Sequence, residues 1–234
     1  MAKYNRVLLK LSGEALAGEQ GTGFHEETVA QVAGQVKALV ERNVQVGIVI
    51  GGGNFWRGRS NQQMDRSRAD QIGMLATVMN SLFAAEVFRT RGVKAAVMTP
   101  FSVGTMTKPF DREEALALME EDTVVFFAGG TGHPFFSTDT GAALRAVEIG
   151  ADVILLAKNI DGVYDADPRK DPEATRFDRI SLAEVLQRNL QVMDQAAAIL
   201  CLENKMPMSV FYLNDPDSIV HAIEDKINGT FVYI

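Results

Sequence analysis

The chain has 234 residues, 47% hydrophobic and 23% charged, the balance of a folded protein with one large domain or two small ones. Its single cysteine, Cys201, excludes an internal disulfide framework, and three histidines leave too few ligands for a typical zinc site. A net charge of −7 argues against a general nucleic-acid or anionic-membrane surface, and no apolar run approaches the roughly 18 residues of a membrane span.

The first apolar run, Arg6–Leu11, reads as a buried strand ending at the turn Ser12-Gly13. Lys10 interrupts it and glycine and glutamate follow, so no signal peptide is read there and a reducing, cytoplasmic setting is expected. Val29, Val32, Ala33, Val36, Leu39 and Val40 recur at helical spacing over residues 26–42. Val44–Ile50 is a second strand, stopped by Gly51-Gly52-Gly53. A long helix is predicted over about 68–91, and Lys94–Met98 is a third strand. Asp111 with Glu114 resembles a capping box that opens the next helix. Thr123–Phe127 is a strand ending at Gly129-Gly130, Asp139 is expected to open a helix, and Asp152–Leu156 is a further strand. Residues 161–178, rich in Asp, Pro and Gly, read as a loop or small hairpin. Ser181 with Glu184 caps another helix, followed by a helix over about 193–204, a strand at Ser209–Tyr212, a helix near 216–224 and a last strand at 230–233.

Strands alternating with helices predict an α/β protein: a mainly parallel sheet with helices on both faces, read as one domain with two lobes. Ligands of such sheets sit at the carboxyl ends of the strands, where Gly13, Gly51 to Gly53, and Gly129, Gly130 and Gly132 fall. Glycine lets backbone N–H groups converge on an anion, and a helix is expected soon after each turn. One such turn is ordinary, whereas three favour phosphate. No P-loop string, dinucleotide fingerprint or nucleophile elbow occurs, so phosphate chemistry here needs another scaffold.

Lys10 on a buried strand either reaches a transferring phosphoryl group or runs out to water. Arg57 stands out among Arg57, Arg59, Arg66 and Arg68 because it lies near the triple glycine, and a guanidinium can grip phosphate with two donors. Asp70 is either a helix-start acid or an acceptor for ribose hydroxyls. The loop Gly130 to Asp139 offers hydroxyls, free backbone and the rings of Phe135 and Phe136, which by residue type are more often core than platforms for a base. Asp139 either caps its helix or orients a lysine, and His133 is a weak candidate because phosphoryl transfer needs little acid–base help. Lys158 could complete a cationic clamp and Tyr164 could lie against a purine, or the two belong to an ordinary Asp-Gly turn.

The strings Leu8-Leu9-Lys10-Leu11-Ser12-Gly13-Glu14, Gly51-Gly52-Gly53-Asn54 and Gly73 to Asn80, the Gly130 to Asp139 loop, and Asp161-Gly162-Val163-Tyr164 with Ala166-Asp167-Pro168 resemble the bacterial uridylate kinases of the amino-acid-kinase family. The resemblance covers essentially the whole chain in the same order. It implies an eight-stranded, mainly parallel sheet in a three-layer sandwich, and transfer of the ATP γ-phosphoryl group to UMP with Mg²⁺. It places Lys10, Leu11, Ser12 and Gly13 at the ATP phosphates, with Lys10 catalytic. Gly52 would contact UMP, Gly53 and Arg57 would lie between the two nucleotides, and Asp70 would hold the UMP ribose. Thr131, Gly132, His133, Pro134, Phe135, Phe136, Ser137 and Thr138 would wrap the uracil and its phosphate. Asp139 would orient the cationic groups, and Lys158 is counted with Lys10, Arg57 and Asp139 as catalytic. Asn159, Tyr164 and Asp167 would line the ATP nucleoside pocket. The family is similar in being homohexameric, often activated by GTP and inhibited by UTP. Here His133 stands where the family usually has asparagine, and some members place a second lysine at the position of Asn159.

Two competing readings remain: a sister kinase acting on carbamate or an amino-acid carboxylate, and a non-catalytic nucleotide sensor. Arg57, Asp70 and the 131–138 loop favour a nucleotide acceptor, while Lys10 and Asp139 argue against a sensor.

Overall fold

The computed structural model describes residues 3–56, 64–224 and 226–234. In chain order the elements are β1 (Arg6–Leu11), α1 (Gly13–Leu16), α2 (Glu26–Val40), β2 (Gln45–Ile50), α3 (Arg66–Thr90), β3 (Ala95–Thr99), β4 (Lys108–Pro109), α4 (Arg112–Glu120), β5 (Val124–Phe127), α5 (Thr138–Glu148), β6 (Val153–Lys158), β7 (Val163–Tyr164), β8 (Arg176–Phe177), β9 (Arg179–Ser181), α6 (Leu182–Gln187), α7 (Gln195–Glu203), β10 (Met208–Tyr212), α8 (Ser218–Ile223) and β11 (Gly229–Tyr233).

The main sheet runs β4-β3-β5-β2-β1-β6-β10-β11-β9. Its pairs are parallel except β10 with β11. It therefore has nine strands rather than the eight implied by the resemblance. The edge strands β4 and β9 are two and three residues long, too short to carry any hydrophobic period that would show them in the sequence. The 161–178 stretch does form a hairpin, with β7 antiparallel to β8.

Alternation along β1 divides the core. Val7, Leu9 and Leu11 pack on one face with α2, α3 and α8, and Leu8 packs on the other with α4, α5, α6 and α7. Lys10 shares the parity of Leu8, so its side chain leaves the sheet on the α5 side. Phe88, Phe126 and Phe211 are fully buried, each worth about 1.5–3 kcal/mol relative to exposure. Caps fix several helix starts: Asp111 accepts from Glu114 N, and Ser181 from Glu184 N, as the sequence predicts. At α5 the cap is Ser137, not Asp139. By length and composition α3 could cross a membrane, but 50% of its apolar stretch is buried inside the fold, with Ala84, Ala85 and Phe88 in the core.

Candidate active site

The strand order reverses at β1: the chain continues to β2 on one side and returns as β6 on the other. The turns after β1, β2 and β5 meet in the resulting crevice. A Cβ on Gly13 would lie 2.4 Å from the Gly51 carbonyl oxygen, and one on Gly52 would lie 2.9 Å from both Gly73 O and Ala76 Cβ. These approaches admit only glycine, which is why the Ser12-Gly13 and triple-glycine turns can touch. Gly141, in α5, packs in the same way at 3.1 Å from Gly130 Cα. Helix starts follow closely at α1 and α5. After the triple glycine the next described helix is α3, and its first turns, with Arg66, Ala69 and Asp70, line the same cleft as Gly52 and Gly53.

Lys10 Nζ lies 2.8 Å from Asp139 Oδ1, with the two side chains 11% and 20% exposed. β1 supplies the lysine and the first turn of α5 supplies the carboxylate, a pairing set by Lys10 facing the α5 side of the sheet. Asp139 thus faces a lysine instead of capping its helix. At the end of β6, the Lys158 ammonium donates to the Val192 carbonyl. Burial holds the Lys158 pKa below its ordinary value; the Asp139 charge opposes this and the Lys10 charge adds to it. The Asp139 charge therefore acts on both ammonium groups, pairing directly with Lys10 and acting at longer range on Lys158.

Beside this centre lies a cleft of about 190 Å³ of water-accessible space, lined among others by Gly52, Gly53, Asp70, Thr77, Thr131 and Phe136. His133, Ser137 and Thr138 also reach it, whereas Gly132, Pro134 and Phe135 belong to the same loop without lining it. Asp70 Oδ2 accepts from Phe135 N at 2.8 Å and from Arg66 Nε at 2.9 Å. Phe135 and Phe136 are 65% and 51% exposed, so the core explanation for these rings does not hold. Phe135 also carries a φ of 73°, a left-handed conformation that a bulky side chain rarely adopts. Arg57 lies outside the described residues.

On the other side of the centre, Asn159 is exposed just beyond Lys158. The Tyr164 hydroxyl donates to Asp161 at 2.8 Å, and Arg176 pairs with the same carboxylate at 2.6 Å. Burial acts to raise the Asp161 pKa, but the bonds from Tyr164 and Arg176 outweigh it and hold the carboxyl below its ordinary range. Asp167 is exposed and accepts from Arg169 N at 3.1 Å.

Sequence reasoning missed three contributors. Arg66, which the sequence does not set apart from its neighbouring arginines, lines the cleft and pairs with Asp70; their spacing of four on a helix is the available signal. Thr77 presents its hydroxyl oxygen to Gly129 N at 2.8 Å, tying α3 to the turn after β5. Asp194, the cap of α7, accepts from the Ser137 hydroxyl, and from Thr140 Oγ1 at 3.0 Å, and so braces the two residues flanking Thr138-Asp139.

A crevice at a reversal of strand order, framed by glycine turns and holding the Lys10–Asp139 pair with Lys158 at the end of the neighbouring strand, has the form of a phosphotransferase site without a P-loop. Residues 5–212 match the amino acid kinase family, and the chain belongs to that family. Among solved structures it is similar to the UMP kinase from Bacillus anthracis, at 35% identity over 98% of this chain and 96% of that one, with a TM-score of 0.94. It is similar also to the UMP kinase from Ureaplasma parvum, at 34% identity over 98% and 99% of the two chains, with a TM-score of 0.93. The uridylate kinase from Archaeoglobus fulgidus aligns at 30% identity over 99% and 100%, with a TM-score of 0.74.

Proposed function

We propose that this chain is a UMP kinase, transferring the γ-phosphoryl group of ATP to UMP to give ADP and UDP. The observation that carries the reading is the Lys10–Asp139 pair standing where the glycine turns meet. Likeness to UMP kinases over nearly the full chain supports UMP as acceptor, above carbamate or a carboxylate.

In this mechanism a phosphate oxygen of UMP attacks the γ-phosphorus, and the bond to the β–γ bridging oxygen breaks. The nucleophile is already anionic, so no residue removes a proton; catalysis is positioning and charge neutralisation. Lys10 and Lys158 neutralise the transferring group, Asp139 aims Lys10 while the Val192 carbonyl holds Lys158, and Arg57 is assigned to join them. Leu11, Ser12, Gly13 and Gly53 present backbone to the ATP phosphates, and Asn159, Tyr164 and Asp167 border the nucleoside. Gly52 and Asp70 hold UMP, with Thr131 to Thr138 around its base and phosphate. The N-terminal half supplies most of the acceptor lobe and the C-terminal half most of the ATP lobe, within one domain.

Mg²⁺ would enter with ATP and shield the phosphates. Among the described residues no cluster of three or more His, Cys, Asp and Glu is arranged to hold a metal, and Asp139 is engaged by Lys10. The fit is therefore to an ion carried mainly by phosphate oxygens and water.

Self-association into a homohexamer, activation by GTP and inhibition by UTP complete the proposal. What supports self-association is the outer face of α3. Ile72, Leu75 and Met79 are 37%, 52% and 46% exposed, and with Leu82 they follow alternating steps of three and four, a coiled-coil seam. An antiparallel pair with its two-fold axis opposite Thr77 would set Leu75 against Met79, Ile72 against Leu82, and Arg68 against Glu86. The same pattern thus complements itself in shape and charge, as an isologous contact requires. The deciding experiment measures ADP release from Mg-ATP with UMP, CMP and dUMP in turn, with and without GTP. Turnover with UMP is expected; nucleotide binding without ADP release would reduce the chain to a sensor.

A further inference from the structure

Asn54 and Asn80 are 2% and 1% exposed and face each other across the base of the triple-glycine turn. Asn54 Nδ2 donates to Asn80 Oδ1 at 2.9 Å, and Asn80 Nδ2 donates back to Asn54 Oδ1 at 2.8 Å. The second hydrogen of each amide goes to a backbone carbonyl, Gly23 O at 2.8 Å from Asn54 and Gly51 O at 2.6 Å from Asn80. All four amide hydrogens are spent. Because both outer partners are carbonyls, each side chain can face them only with its nitrogen, so neither amide can be turned over without stranding two buried acceptors.

The clamp fixes a peptide plane. In a trans peptide the carbonyl and the following N–H point in opposite directions. With the Gly51 carbonyl drawn inward to Asn80, the Gly52 N–H is aimed outward, and Gly52 lines the cleft. The next peptide is fixed by the turn itself, since Gly52 O accepts from Phe55 N and Trp56 N, each at 3.0 Å. Among the described residues no acceptor meets the Gly52 or Gly53 N–H. Three successive glycines would otherwise let these planes flip at little cost. The clamp also carries the neighbouring turn: a Cβ on Gly13 would fall 2.5 Å from Asn54 Oδ1 and 3.1 Å from Asn80 Nδ2. The turns after β1 and β2 therefore rest on one buried amide pair.

We propose that Asn80, braced by Asn54, is a positioning residue that holds the Gly51–Gly52 peptide so that the Gly52 N–H is presented to the attacking phosphate of UMP. The inference rests on the kinase reading above. It gives α3 a task besides packing, since one helix supplies Asp70 to the cleft and Asn80 to the turn that faces it.

The test compares Asn80→Leu, which donates nothing, with Asn80→Asp, which has the same shape. An ionised aspartate cannot donate to Gly51, but burial favours its neutral form, which can. Wild-type turnover of ATP with UMP is measured first; its absence would remove the kinase reading, and the Gly52 amide NMR shift on adding inorganic phosphate then reads the inference by itself. For folded variants we expect Asn80→Leu to lower kcat at least about tenfold while the KM for ATP moves less than about threefold, the pattern of a lost transition-state contact. Relative to wild type, Asn80→Asp is expected to recover as pH falls from about 8 to about 6, and Asn80→Leu is not. Should Asn80→Leu fail to fold, Asn80→Asp alone decides through that recovery. A kcat for Asn80→Leu within about twofold of wild type, or equal losses for both variants at every pH, would overturn the proposal. In the phosphate titration, a Gly52 shift that survives in either variant at about pH 8 would do the same.

Discussion

The Phe135 N–H donates to Asp70 Oδ2 at 2.8 Å, so a helix carboxylate at the mouth of the cleft also tethers the loop above it. Arg66 reaches the same oxygen at 2.9 Å. In the proposed UMP site an incoming ribose hydroxyl must share this carboxylate or displace the Phe135 amide from it, which assigns the contact to the acceptor and not to ATP.

Asp70→Asn keeps one acceptor oxygen but loses the charge that strengthens each bond. The KM for UMP is expected to rise about tenfold, the scale of one charge-assisted hydrogen bond. The KM for ATP should change by less than about twofold, because no ATP contact is altered. Steady-state kinetics with each nucleotide varied in turn checks this, and equal effects on both would remove Asp70 from the ribose.

Lys10→Ala removes an ammonium that is already aimed by Asp139 at 2.8 Å and therefore needs little reorganisation during transfer. Loss of one preorganised donor typically lowers kcat about 10²–10³-fold, and that range is expected here. Single-turnover rates on folded variant protein measure it; near-native turnover would exclude Lys10 from the chemistry.

Lys10 was legible in the sequence because an ammonium on a strand buried on both faces must find a partner, and the glycine turns were legible because glycine is required where backbones touch. The alternation of strands and helices likewise gave the parallel sheet. Contacts set by tertiary structure were not legible. Asn54 meets Asn80 from 26 residues away, and Asp194 meets Ser137 from 57 away, with no periodicity to announce either. Phe135 and Phe136 looked like core by residue type, and only the loop's path exposes them. Asp139 had two readings, and Ser137 settled the matter by taking the cap.

Lys158 ties function to stability. Burial lowers its pKa from the ordinary 10.5, and the Lys10 charge adds to this against the pull of Asp139. Between the folded value and 10.5 the unfolded chain binds more protons, so this residue's contribution to stability improves as pH rises; below the folded value its penalty is fully present. Lys158→Met removes the penalty but leaves the Val192 carbonyl without its donor. The stability of the variant relative to wild type should therefore be highest near pH 7 and decline toward pH 10. Urea midpoints at the two values give the slope, and a relative stability that grows with pH would contradict it. Activity should fall regardless, because the proposed mechanism loses one of its ammonium groups.

The outer face of α3 yields the last prediction. Leu75 and Met79 are 52% and 46% exposed on a helix whose opposite face holds Ala76, Thr77 and Asn80 buried. Leaving such a seam in water forfeits roughly 25 cal/mol for every Å² of apolar surface that a partner would cover. In the antiparallel arrangement Leu75 and Met79 lie nearest the two-fold axis, so each substitution there counts twice. Leu75→Glu puts two like charges close together in the centre of the contact, where they cannot be hydrated without separating the helices. The variant should sediment as a smaller species than wild type at micromolar concentration, while Arg68→Glu should weaken assembly less and in a salt-dependent way, and Arg68→Glu with Glu86→Arg should restore it. If Leu75→Glu sediments as wild type does, the α3 faces do not meet.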